Sequence, residues 1–112
     1  MKKDPKVFLA HILESIQLVQ EYSKGTTQAM FYKNRSLQDA IIRRLEIIGE
    51  AVKNLPPAFK EKYPDIPWKK IAGMRDILIH EYFSVDLTLT WQVVKHELPL
   101  IKKQLSEILT TD

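Results

Sequence analysis

The sequence predicts an all-α fold, an antiparallel bundle of four main helices with short extra helices. Three observations predict it. Apolar residues recur in steps of four and three over long stretches, most cleanly at Leu87, Trp91, Val94, Leu98, Ile101, Leu105 and Ile108. No stretch shows convincing period-two alternation. Glycine is scarce, 3 in 112 residues, which argues against a turn-rich β architecture.

Each element has its own signals. Asp4 suits the N-cap and Pro5 the first position of helix one, whose stripe is Leu9, Ile12, Ile16 and Val19 with Leu13 beside it. Gly25 is placed to stop it. Thr26 to Lys33 reads as a short extra helix, after which Asn34 or Ser36 can cap the second long one. That helix shows Ile41, Leu45, Ile48, Val52 and Leu55, the seam of a tightly packed bundle. Gly49 inside it costs helix propensity, so a neighbouring helix is expected to approach closely there. Pro56-Pro57 ends the run. Pro56 to Pro67 is loop-rich, with one turn around Ala58–Lys62.

The third main helix enters through Asp65-Ile66-Pro67-Trp68 and buries Trp68, Ile71, Met74 and Leu78. The last starts after Asp86, a good N-cap, and Pro99 within it is expected to kink or loosen one turn. The seams are rich enough to leave apolar surface for a dimer partner.

Length and composition bound the rest. With 112 residues the natural count is one domain, residues 1–112. Hydrophobic content of 45% and charged content of 28% are ordinary for a globular protein. A formal net charge of +3 permits RNA binding without demanding it. Cysteine is absent, which excludes disulfides, thiolate metal sites and a thiol nucleophile. No apolar run approaches membrane-spanning length, and no signal-type apolar core follows Met1-Lys2-Lys3-Asp4, so a cytoplasmic protein is expected.

Chemistry gathers in Gly73-Met74-Arg75-Asp76-Ile77-Leu78-Ile79-His80-Glu81-Tyr82-Phe83. Arginine is always charged and presents a donor fork suited to phosphate. Histidine exchanges protons near neutral pH. Tyrosine adds a hydroxyl that can bond a substrate or be modified. An α-helix advances about 100° per residue, so Arg75 and His80 diverge by roughly 140° on an unbroken helix. They converge only if the helix breaks or a second chain completes the site. The sequence favours a break near Ile79–His80, with Phe83-Ser84-Val85-Asp86 as a short connection.

Several chemistries are disfavoured. A metalloprotease helix beginning His80-Glu81 needs its second histidine at the position of Ser84. His11 and His96 are far away in sequence, so no metal centre is expected. No Gly-rich phosphate loop is present, and nothing marks an oxyanion hole for Ser84. Proton transfer beside an anion remains. RNA carries its own nucleophile, the 2′-hydroxyl; a histidine can act as acid or base and an arginine can stabilise the phosphorane without a metal. The structural alternative is that Arg75 sits in a buried ion pair with Asp76 or Glu81 and that His80 caps a helix C-terminus. Arg43 and Arg44 are either a solvated face or contacts to an RNA backbone.

The spacing Arg-x-x-x-x-His-x-Tyr at Arg75, His80 and Tyr82 resembles the motif of HepT-like toxins in the HEPN ribonuclease superfamily. Leu45-Glu46-Ile47-Ile48-Gly49-Glu50-Ala51 resembles the family's second-helix signature. Ile66-Pro67-Trp68 and His80-Glu81-Tyr82-Phe83 are similar to its lead-in and exit. The resemblance implies a homodimeric, metal-independent endoribonuclease toxin of a type VII-like toxin–antitoxin pair, with no cofactor. It implies catalytic Arg75 and His80 from both chains at the dimer cleft. It also implies a cognate minimal nucleotidyltransferase antitoxin that transfers AMP to Tyr82, blocking the cleft with bulk and negative charge. Where the family commonly has asparagine, this chain has Asp76, a supporting carboxylate that either lowers RNA affinity or orients Arg75. Two competing readings are a catalytically inactive HEPN module that binds a nucleotide or the nucleotidyltransferase, and a purely structural dimerisation bundle.

Overall fold

The computed structural model describes residues 4–81 and 84–111, with the side chains of all of these but Ile77, His80, Glu81, Ser84 and Thr111. Helix α1 spans Pro5–Ser23, α2 Gln28–Lys33, α3 Arg35–Lys53, α4 Pro57–Lys62, α5 Trp68–Ala72 and α6 Met74–Leu78. Strands β1, Ile79–Glu81, and β2, Ser84–Val85, follow. Helix α7, Leu87–Gln92, runs through a π-helical turn at Val93–Glu97 into α8, Leu98–Thr111. Among the described residues the fold is all-α: three long helical stretches (α1, α3 and α7 through α8), the short helices α2, α4, α5 and α6, the last two parted at Gly73 where the sequence predicts one third main helix, and one very small hairpin.

Local chemistry accounts for the helix boundaries. The Asp4 carboxylate accepts from the Lys6 N–H at 2.9 Å, and Pro5 follows at the first helical position. Gly25, with φ +74°, supplies the left-handed turn after α1. Thr27 caps α2, and Asn34 caps α3 by accepting from the Leu37 N–H at 3.0 Å. Asp86 caps α7 through the Leu89 N–H at 2.9 Å. Pro99 lies just past the π-helical turn. Its ring would collide with the carbonyl of Lys95 in a regular α-helix, and widening the preceding turn relieves that crowding.

The predicted seams form the core. Leu9, Ile12, Ile16 and Val19 of α1 and Ile41, Leu45, Ile48 and Val52 of α3 are all buried, and α1 packs along α3. Trp68, Ile71, Met74 and Leu78 bury as expected, as do Leu98, Ile101, Leu105 and Ile108 of α8. The Trp68 indole N–H is shared between the carbonyls of Lys60 and Tyr63, each at 3.0 Å, which ties α4 to α5. Lys70 and Glu97 form an ion pair that joins α5 to the π-helical turn. Leu100 stays 64% exposed beside a groove floored by Ile71, Met74 and Ile101, so apolar surface does remain outside the core.

Gly49 explains how α5 is seated. A β-carbon at position 49 would lie 3.0 Å from the Ala72 carbonyl oxygen and 3.4 Å from that of Ile71. The missing side chain lets the backbones of α3 and α5 approach closely, as the sequence led us to expect. Because α6 continues from α5 with only Gly73 between them, this contact also positions α6.

Candidate active site

Arg75 lies on α6, whose helical course ends at Leu78. Ile79 is already extended, with φ −110° and ψ 104°, so the expected break falls where the residue types asked for it. The segment after it is more ordered than a plain connection. Ile79 pairs with Val85 and Glu81 with Ser84 in an antiparallel ladder with an irregular register. The Asp86 N–H donates to the Leu78 carbonyl at 2.7 Å and closes the base of the hairpin. The backbone of His80 therefore belongs to β1, two residues beyond the end of the helix that carries Arg75. Tyr82 and Phe83 lie outside the described residues.

A cleft of about 460 Å³ opens between α3 and the α6–hairpin–α7 segment. Arg35, Gln38, Asp39, Ile42 and Glu46 of α3 form one wall; their spacing puts them on one stripe beside the buried seam. Arg75, Ile79, Val85 and Leu87 form the other. Gln38 is anchored, donating through Nε2 to the Phe31 carbonyl at 2.9 Å and the Tyr32 carbonyl at 3.2 Å. Arg35 and Asp39 form an exposed pair at 3.6 Å, screened by solvent and of little energetic weight.

Arg75 reaches across the cleft to α3. Its Nε lies 3.2 Å from Glu46 Oε2, while its Nη1 lies 3.9 Å from Asp76 Oδ1. The Arg75 side chain is 51% exposed, so its pairing is half-exposed and not buried, and of the described carboxylates Glu46 lies nearer than Asp76; the Glu81 side chain lies outside what is described. The spacing of the motif residues does not point to Glu46. Its signal was available in part: it follows the buried Leu45 and so sits at the edge of the α3 seam, where a neighbouring helix can meet it.

Arg43 and Arg44 lie elsewhere. They line a second depression of about 510 Å³ with His11, Glu14, Glu46 and Glu50, where three carboxylates offset their charge. Among the described residues Glu46 alone lines both depressions. Arg75 thus presents a guanidinium partly open to solvent on a cleft wall, with the backbone of a histidine-bearing strand next in the chain.

Comparison with known proteins gives a consistent picture. The model of the family "Ribonuclease HepT-like" matches residues 12–108. A protein of Methanocaldococcus jannaschii named "Gamma-glutamylcyclotransferase and putative RNase" is 58% identical over 97% of this chain. The match covers 49% of that protein, so the chain spans about half its length. A "Putative RNase" of Caldanaerobacter subterraneus subsp. tengcongensis is 50% identical over 96% of both chains. A "Probable ribonuclease HepT" of Thermococcus cleftensis is 43% identical over 96% of this chain and 98% of its own. No solved structure matches.

Proposed function

The chain belongs to the ribonuclease HepT-like family, and from that premise we propose that it is a metal-independent endoribonuclease, the toxin of a type VII-like pair. The observation that carries the reading is the end of α6 at Leu78. It leaves Arg75 on the cleft wall and starts β1, with His80, immediately beyond.

In this reading the 2′-hydroxyl of RNA attacks the adjacent phosphorus. A 2′,3′-cyclic phosphate forms and the 5′-oxygen of the next nucleotide leaves. Arg75 stabilises the charge that grows on the non-bridging oxygens. His80 moves a proton, taking it from the 2′-hydroxyl or giving it to the leaving oxygen. A second copy of the chain brings its own Arg75 and His80 to the same cleft at a two-fold axis, so two imidazoles can divide the acid and base roles. Asp76 supports the site as a carboxylate beside the guanidinium.

The partner in this reading is a minimal nucleotidyltransferase. The Tyr82 hydroxyl attacks the α-phosphorus of ATP, a tyrosyl–AMP ester forms and pyrophosphate leaves. The added phosphate then repels RNA.

The test is cleavage of single-stranded RNA by purified protein in EDTA. Cutting that is lost in His80→Ala and in Arg75→Ala, with the dimer intact by light scattering, supports the reading. Undiminished cutting by His80→Ala removes His80 from the mechanism. Incubation with the partner enzyme and ATP is expected to add the mass of one AMP at Tyr82. A second reading, a catalytically inactive module that binds a nucleotide or the nucleotidyltransferase, draws on the two carboxylates flanking Arg75. It predicts no cutting by the wild type under any of these conditions.

A further inference from the structure

We propose that Glu46 is the positioning residue of Arg75, holding the guanidinium by its Nε edge so that the terminal Nη1–Nη2 fork is left for a phosphate. The proposal rests on the ribonuclease reading above.

A guanidinium has two usable edges, one through Nε and one formed by the two terminal nitrogens. Glu46 Oε2 stands 3.2 Å from Nε. Asp76 is 3.9 Å from Nη1, beyond hydrogen-bonding reach. Among the described residues no side chain hydrogen-bonds Arg75: Glu46 meets Nε as an ion pair, and the terminal fork is free of described hydrogen-bond partners.

The anchor comes from a more rigid part of the molecule than the group it holds. Arg75 sits on a five-residue helix between Gly73 and the hairpin, and half of its side chain is exposed. A long side chain in that setting samples many rotamers. Glu46 projects from the 19-residue α3, and its neighbours Leu45, Ile48 and Gly49 are buried in the core. Glu46 is itself 31% exposed, so the pair is screened and contributes orientation more than stability. A carboxylate competing with the phosphate would be expected on the terminal fork, and Glu46 is not there.

Three Glu46 variants and two readouts test this. In Glu46→Ala, single-turnover cleavage of RNA is expected to slow on the order of 10- to 100-fold with RNA affinity nearly unchanged. Glu46→Gln keeps an acceptor oxygen and is expected to recover most of the rate. An Arg75→Ala/Glu46→Ala double variant is expected to be no slower than Arg75→Ala, because both changes remove one function. The second readout is nuclear magnetic resonance of the Arg75 Nε–H, assigned by its loss in Arg75→Lys. Its exchange with water is expected to speed up in Glu46→Ala while the thermal midpoint holds.

Unchanged exchange in Glu46→Ala overturns the proposal. So does an unchanged cleavage rate, or tighter RNA binding with full activity, which would make Glu46 a competitor. A wild type that does not cut RNA sinks the ribonuclease reading instead, while the exchange measurement still decides whether Glu46 holds the arginine.

Discussion

The α-carbon of Gly49 faces the carbonyl of Ala72 so closely that a β-carbon there would stand 3.0 Å from the oxygen. The neighbour is backbone within α5, and Trp68 and Ile71 pin that helix in the core. It cannot yield as a flexible side chain would. Gly49→Ala gains helix propensity but overpacks the contact, and we expect a net loss of about 1–2 kcal/mol. Chemical denaturation measures it. A more stable variant would show that α5 can move away at little cost.

Arg75→Lys keeps the charge but loses the planar fork. Cleavage is expected to fall on the order of 100-fold in single-turnover assays. Arg75→Ala should also lower the slope of log affinity against log salt by about 0.7, the share of one phosphate contact on a single strand. A slope equal to that of the wild type would place the phosphate contact elsewhere.

Asp86 caps α7, and its N–H closes the hairpin against Leu78. Asp86→Ala removes only the carboxylate contacts and is expected to cost about 1 kcal/mol. Urea unfolding gives the value, and Asp86→Asn should recover most of it because the amide oxygen can still accept from Leu89.

Trp68→Phe keeps an aromatic ring in the core but deletes the N–H shared by the Lys60 and Tyr63 carbonyls. A loss of about 1 kcal/mol is expected, visible as a lower thermal midpoint. A larger loss would mean that ring packing against Phe59, 6.2 Å away between centroids, carries more of the tie than the hydrogen bonds do.

Much of this molecule is legible in the chain because the signals are local. A stripe such as Ile41, Leu45, Ile48 and Val52 repeats within a few turns, and caps such as Asn34 and Asp86 act within three residues. Even the close approach at Gly49 announced itself, since glycine in a helix interior needs a reason. The hairpin did not. Strands of three and two residues are too short for a period-two pattern, and their pairing depends on a backbone bond from Asp86 to Leu78 that no side chain encodes.

The sequence by itself determined the all-α class, the caps that start the long helices, a break near Ile79–His80 and the candidacy of Arg75, His80 and Tyr82, but not the division of the third helix at Gly73. Only the tertiary structure decided which carboxylate Arg75 meets. Asp76 is adjacent in the chain, yet Glu46, from a different helix, lies nearer to the guanidinium. The physical reason is that periodicity fixes which face of a helix is buried, whereas the seating of α3 against α5 and α6, through Gly49, sets which polar edges come within reach across the seam.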